Sequence, residues 1–394
     1  MNTPLVTLGG DGTFRVGTRG VEVPGASGAL ADATGARAGD AGNDPTGDPR
    51  LSALTRLRSL LGDDLEGQIA TRPYLPAALG SEPADHLLPA SLALLAGTTG
   101  DLSSYGWRVG PGTGRAWRRA RELRDRMADA ARIALFGYEG PLTVTVLGPL
   151  TLAAATFLPS GERTLSDRGA LRDLPVLLAE GVAEYLDVLR ERVPGAQFDL
   201  LVREDRVGEV QRGSIPTPSG YRRYPALPAA EIGPRWTDLV QSLGDVPVSL
   251  HLSPDPALLG AARTAGLRRV AVVPEAFGQI AADRVRWEAL ADAREAAVSL
   301  ELVVDPARIQ PQLNRFADGW RELGYGSGDL AGFTVLAHRP STIEAATQPT
   351  AASLLRPGRR RHRADQATRA APIPPSNTTT SVMSAASATG LPPT

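Results

Sequence analysis

The chain of 394 residues contains no cysteine and no lysine; every side chain of permanent positive charge is arginine. The missing cysteine excludes disulfides, thiolate metal sites, iron–sulfur clusters and cysteine nucleophiles. The missing lysine excludes Schiff-base chemistry and a P-loop lysine. Aromatics are sparse at 5%, and 42 basic against 43 acidic residues leave a formal charge of −1. A balanced chain has no overall electrostatic footprint for nucleic acid. No apolar run approaches the roughly 18 residues of a membrane helix, and Met1–Gly20 has no apolar core of signal-peptide length. These absences point to a soluble, cytoplasmic protein with no membrane partner.

What is present is a hydrophobic fraction of 42%, enough for a core, with 42 glycines and 33 prolines that suggest segments outside it. Residues 1–48 are rich in Gly, Asp, Thr and Ala. Val6-Thr7-Leu8 and Thr13-Phe14-Arg15-Val16 flank Gly9-Gly10-Asp11-Gly12, a pattern that predicts a small hairpin. From about Thr347 the chain is Pro, Ser, Thr and Ala, too poor in apolar side chains to offset chain entropy, and a disordered tail over 345–394 is predicted. Six Arg against one Asp give that tail a net charge of +5, leaving the body near −6. A basic tail is the one place where nucleic acid or an acidic partner would touch.

Between these ends strands and helices alternate. Strands are predicted at 142–147, 198–202, 246–252, 269–273, 297–304 and 332–336. The helices between them span 173–192, 228–243, 256–265, 284–296 and 311–323. Helices also cover 50–62 and 113–134, and weaker strands lie near 30–34 and 105–109. Short strands each followed by a helix require right-handed parallel crossovers. Over 49–344 this predicts an α/β fold, a (β/α)8 TIM barrel with an irregular first strand; an open doubly wound sheet is the alternative. No Gly-x-Gly-x-x-Gly turn supports dinucleotide binding.

In a barrel the chemistry sits at the C-terminal strand ends. Those positions hold Glu204 and Asp205, His251, Glu275, Asp305 and His338.

Several segments carry a resemblance: Gly140-Pro141 through Leu147, then Gly148-Pro149-Leu150-Thr151-Leu152-Ala153; Leu158-Pro159-Ser160-Gly161-Glu162-Arg163; Ile215-Pro216-Thr217-Pro218-Ser219-Gly220-Tyr221; and Ser104-Tyr105-Gly106-Trp107-Arg108. Over roughly 49–344 the chain resembles the cobalamin-independent methionine synthase family, most closely its short actinobacterial branch. The resemblance implies a barrel of the uroporphyrinogen decarboxylase and methionine synthase superfamily. It also implies methyl transfer from a methylated folate to homocysteine, whose sulfur a zinc ion holds as thiolate. The zinc ligands would be His251 and, 24 residues on, Glu275. The two family cysteines fall on Ser253 and about Ala337, neither of which supplies a thiolate. Substrate-binding positions fall on Glu204, Trp107 and Tyr221. The family's aspartate for the substrate amino group falls on Arg203, which would repel an ammonium, and its opening Gly-Ser on Arg37-Ala38.

Three functions remain open. One is a degenerate barrel that keeps a pocket for an amino acid or folate-like ligand without metal chemistry. Another is a working S-methyltransferase with zinc on His251, Glu275 and His338. The third is a metal-free enzyme resembling the uroporphyrinogen decarboxylases, using Arg203, Asp205 and Asp305. His86 and His362 are read as structural and solvent-exposed.

Overall fold

The computed structural model describes residues 6–14, 47–62, 69–77, 79, 83–305, 308–326 and 333–337. The tail, Arg37-Ala38, His338, His362 and the weak strand near 30–34 lie outside these residues. Ten strands and ten α-helices are described. They run β1 Val6–Gly10, α1 Pro49–Leu61, β2 Ile69–Thr71, α2 Leu87–Leu92, β3 Gly100–Ser103, β4 Gly106–Val109, α3 Arg115–Ala134 and β5 Gly140–Leu147. Next come α4 Pro149–Ala155, α5 Arg168–Arg192, β6 Ala196–Arg203, α6 Val207–Gln211, α7 Ala229–Leu243 and β7 Val248–His251. The chain continues with α8 Pro256–Thr264, β8 Arg269–Val272, α9 Ile280–Glu295, β9 Ser299–Val304, α10 Ile309–Glu322 and β10 Phe333–Ala337.

Eight strands form one all-parallel sheet in the order β2-β1-β10-β9-β8-β7-β6-β5. The sheet curls toward closure but is not a closed barrel. Between the edge strands β2 and β5 there is one parallel bridge, Tyr74 with Thr143. Thr143 N donates to Pro73 O at 2.9 Å and Leu75 N donates to Thr143 O at 2.9 Å. The reason is local: β2 is three residues long, and Pro73 has no N–H to extend its ladder.

Two expectations need correction. Residues 6–14 do not make a hairpin. Val6–Gly10 runs parallel between β10 and β2, so the N-terminal segment supplies the first strand of the sheet. Two glycines make this possible. A Cβ on Gly10 would stand 2.1 Å from the Tyr74 ring, and Gly12 takes φ +83° against Thr145. Residues 106–109 form an antiparallel ribbon with β3 rather than a strand of the main sheet.

Helix starts follow sequence chemistry. Asp255 accepts from Ala257 N at 3.0 Å and Leu258 N at 3.2 Å, with Pro256 in the first turn of α8. Asp48 and Pro49 repeat the device at α1. The helices bury one side each: Trp236, Trp287 and Trp320, from α7, α9 and α10, are fully buried, and Trp117 of α3 is buried against the β3–β4 ribbon. Phe277, Trp287, Phe316, Trp320 and Phe333 make a continuous aromatic layer, with ring centroids 4.7–6.2 Å apart.

The inner face of the sheet is more polar than branched aliphatic barrel layers. Leu201, Ala271, Val303 and Leu336 form its apolar part. Below them Arg72 reaches Asp199 at 3.3 Å and Glu301 at 2.9 Å, Arg269 reaches Asp199 at 2.8 Å, and Ser249 donates to Glu301 at 3.0 Å.

Candidate functional site

Strand register brings the rim residues together. Leu147, Arg203 and His251 occupy consecutive register positions on β5, β6 and β7, so they share one face at the C-terminal end. Asp11 follows β1, and its N–H donates to Ala337 O at 3.1 Å.

These positions build a chain of charged groups. Arg203 Nη1 donates to Asp11 Oδ2 at 2.6 Å. Its Nε and Nη2 form a bidentate fork onto Asp205, at 3.1 and 2.8 Å. Asp205 Oδ1 lies 2.9 Å from His251 Nδ1. A carboxylate in that place fixes Nδ1 as the protonated nitrogen and leaves Nε2 as the acceptor. At the far end Asp11 Oδ1 accepts from Thr13 N at 3.1 Å and Thr13 Oγ1 at 2.5 Å. Arg203 and Asp11 are buried, whereas the Asp205 side chain is 32% exposed. Burial opposes the charge on Arg203, but Asp11 and Asp205 outweigh it and raise its pKa. Burial likewise pushes Asp205 up; the His251 hydrogen bond and the Arg203 charge prevail and hold it well below the usual carboxylate range.

Arg203, expected to stand as a bare cation that repels an ammonium, is a guanidinium covered by two carboxylates. Asp11 is the residue that sequence reasoning missed. Its signal was available in an apolar run ending in Gly-Gly-Asp-Gly, which reads equally as a strand end.

Glu204, one residue from Asp205, points the other way. Its carboxylate accepts from Leu150 N at 3.1 Å, Thr151 N at 2.8 Å, Thr151 Oγ1 at 2.8 Å and Trp236 Nε1 at 3.1 Å. It is 1% exposed, and burial pushes its pKa up to about 7 against the pull of those donors. Glu204 therefore pins the start of α4 and the α7 tryptophan; its acceptor positions are taken by internal donors.

The other expected residues separate. Trp107 is buried, edge-on to Trp117 at 6.5 Å, as packing between the ribbon and α3. Tyr221 is 94% exposed at a turn where Gly220 N donates to Thr217 O at 2.8 Å. Glu275, in a short turn after β8, accepts a hydrogen bond from Gln312 Nε2, while its Oε2 is buried without a hydrogen-bond partner among the described residues. Gln312 Oε1 in turn accepts from Asp305 N at 2.8 Å. Thus His251 is tied to the β6 side and Glu275 to α10.

The zinc donor set is incomplete. Asp205 at Nδ1 still leaves His251 Nε2 as a donor, and Glu275 keeps Oε2, but Ser253 offers only a hydroxyl and Ala337 a methyl group, so the two thiolate positions are lost. Among the described residues no three His, Cys, Asp or Glu side chains group as a metal site. Also among them, no helix is long and apolar enough to cross a membrane. No family model matches the chain, and no curated protein does.

Proposed function

We propose that the chain is a methionine-synthase-like barrel whose rim has exchanged zinc–thiolate chemistry for a metal-free polar chain. On this reading it no longer transfers a methyl group from methyl-tetrahydrofolate to homocysteine; it retains a small-molecule site for an amino acid or a folate-like compound. The observation that carries the reading is the run Asp11–Arg203–Asp205–His251. The histidine that would ligate zinc is linked at Nδ1, through Asp205, to Arg203 at the amino-group position, while the positions of the two thiolate ligands hold no donor of that kind. At the end of β1, Asp11 supplies the carboxylate that anchors Arg203.

A working S-methyltransferase with a re-formed metal site is the second reading. The buried, unpartnered Oε2 of Glu275 favours it. The decarboxylase-like reading is weaker, because all three nitrogens of the Arg203 guanidinium are spent on internal carboxylates.

Thermal melting with increasing homocysteine separates the readings, since a ligand that binds only the folded state must raise Tm. No zinc-dependent shift is expected; a rise equal with and without zinc reports the retained amino-acid site. A dose-dependent rise that needs zinc and disappears in His251→Ala would overturn the proposal in favour of the re-formed site.

A further inference from the structure

On the β5–β6 side of the rim two guanidiniums converge on one oxygen. Arg163 Nη1 donates to Ala154 O at 2.8 Å and Arg206 Nη1 donates to the same atom at 2.9 Å. Arg206 lies three residues past the end of β6, and its N–H donates to Thr151 Oγ1 at 3.1 Å. Arg163 is held over the Phe157 ring at 4.7 Å, and its Nε reaches Pro216 O at 3.4 Å. Both side chains are thus fixed, and both remain partly open to solvent.

The charges there are not balanced. Arg206 is paired with Glu209 at 2.7 Å. Among the described residues Arg163 has no carboxylate within ion-pair distance; it donates to carbonyls. Its acidic neighbour Glu162 instead accepts from the Tyr224 hydroxyl at 2.5 Å. Burial, and then the charge of Arg206, hold the Arg163 guanidinium below its usual pKa. Arg222 and Arg223 lie exposed on the neighbouring hairpin, where Arg223 bridges to Pro216. A single carbonyl does not require two full cations, and like charges this close oppose one another unless an anion lies between them. Planar forks in fixed positions suit the oxygens of carboxylates and phosphates.

We propose that Arg163 and Arg206 form an oxyanion subsite that receives the phosphate or carboxylate group of the ligand. The proposal rests on the reading of the rim as a small-molecule site. It fails separately from that reading, because the homocysteine test does not involve these arginines.

The test uses the full chain at low ionic strength, titrated with inorganic phosphate in one arm and glutarate in another, against sodium chloride of matched ionic strength. Saturable stabilisation by at least one oxyanion, beyond the chloride response, is expected. The arm that responds identifies the group as phosphate or carboxylate. Arg163→Gln and Arg206→Gln should each weaken that binding at least tenfold, while Arg222→Gln should leave it within twofold. Should a glutamine variant not fold, the unaltered chain gives the second readout: phenylglyoxal modification of Arg163 and Arg206, followed by mass spectrometry, should slow severalfold in the presence of the oxyanion. No response beyond chloride, an Arg163→Gln affinity within twofold of the parent, or modification unaffected by the anion would each overturn the proposal.

Discussion

The β6–β7 side of the rim and the β8–β9 side draw on similar residues and treat them differently. On the first side both rim-facing carboxylates, Asp11 and Asp205, meet a cation or an imidazole. Asp11, Arg203, Asp205 and His251 form one chain in which each member fixes the next. On the second side Glu275 meets only the neutral amide of Gln312 and keeps one oxygen without a hydrogen-bond partner among the described residues. The difference teaches that a residue type at a strand end does not define a site; its neighbours decide whether it is spent or available. His251 and Glu275 stand at adjacent strand ends, yet belong to two separate networks.

The largest effect that would break this contrast is Arg203→Met. It leaves Asp11 buried without its cation and frees Asp205 from its fork, and breaking a buried pair in this way costs about 3–5 kcal/mol. Denaturant unfolding should show that loss.

A pH series sharpens the contrast within β6 itself. The folded pKa of Glu204 is raised from 4.5 to about 7, so its contribution is fully present below the unfolded value and is lost as pH rises through the folded one. Asp205 has the opposite sign: its contribution is present above the unfolded value and lost as pH falls. The stability difference between the parent and Glu204→Gln should therefore drop by about 3 kcal/mol between pH 4.5 and 7. A flat difference across that window would contradict the assignment.

On the second side effects should be smaller. Glu275→Gln keeps an acceptor for Gln312 and should cost about 1 kcal/mol or less in the same unfolding assay. Tyr221→Ala, at a turn 94% exposed, should change stability by no more than about 0.5 kcal/mol.

Much of the fold was legible in the sequence. Leu142–Leu147 and Phe198–Val202 read as strands because their apolar runs end at clear turn residues, and both lie inside β5 and β6. Pro256 after Asp255, and Gly266 beyond, marked α8 to within a residue. Short-range pattern failed where long-range pairing decides. Gly9–Gly12 has the chemistry of a hairpin turn, but Val6–Gly10 gains more by pairing with β10, over three hundred residues away in sequence. Likewise 106–109 looks like any short strand; only its partner β3 shows that it lies outside the main sheet. Tyr105 at its turn packs edge-on against Phe157 at 5.1 Å instead.

The site was legible as positions and not as partnerships. His251, Glu275, Glu204 and Asp205 all lie at strand ends, as expected. Their hydrogen bonds depend on register across strands and on which side of the chain each faces. Glu204 and Asp205 are adjacent and so diverge, one into the packing under α4 and α7, the other toward the rim. The inner polar layer gave a signal that pattern reading passed over: Asp199 and Glu301 sit inside otherwise apolar strand runs, where a charge needs a partner.

The most direct test of the metal-free rim is elemental analysis of the purified, untagged protein together with its His251→Ala and Glu275→Gln variants. The account expects zinc far below one equivalent per chain, with no change in either variant. Near-stoichiometric zinc that falls away when His251 or Glu275 is replaced would contradict it and restore a metal site to the rim.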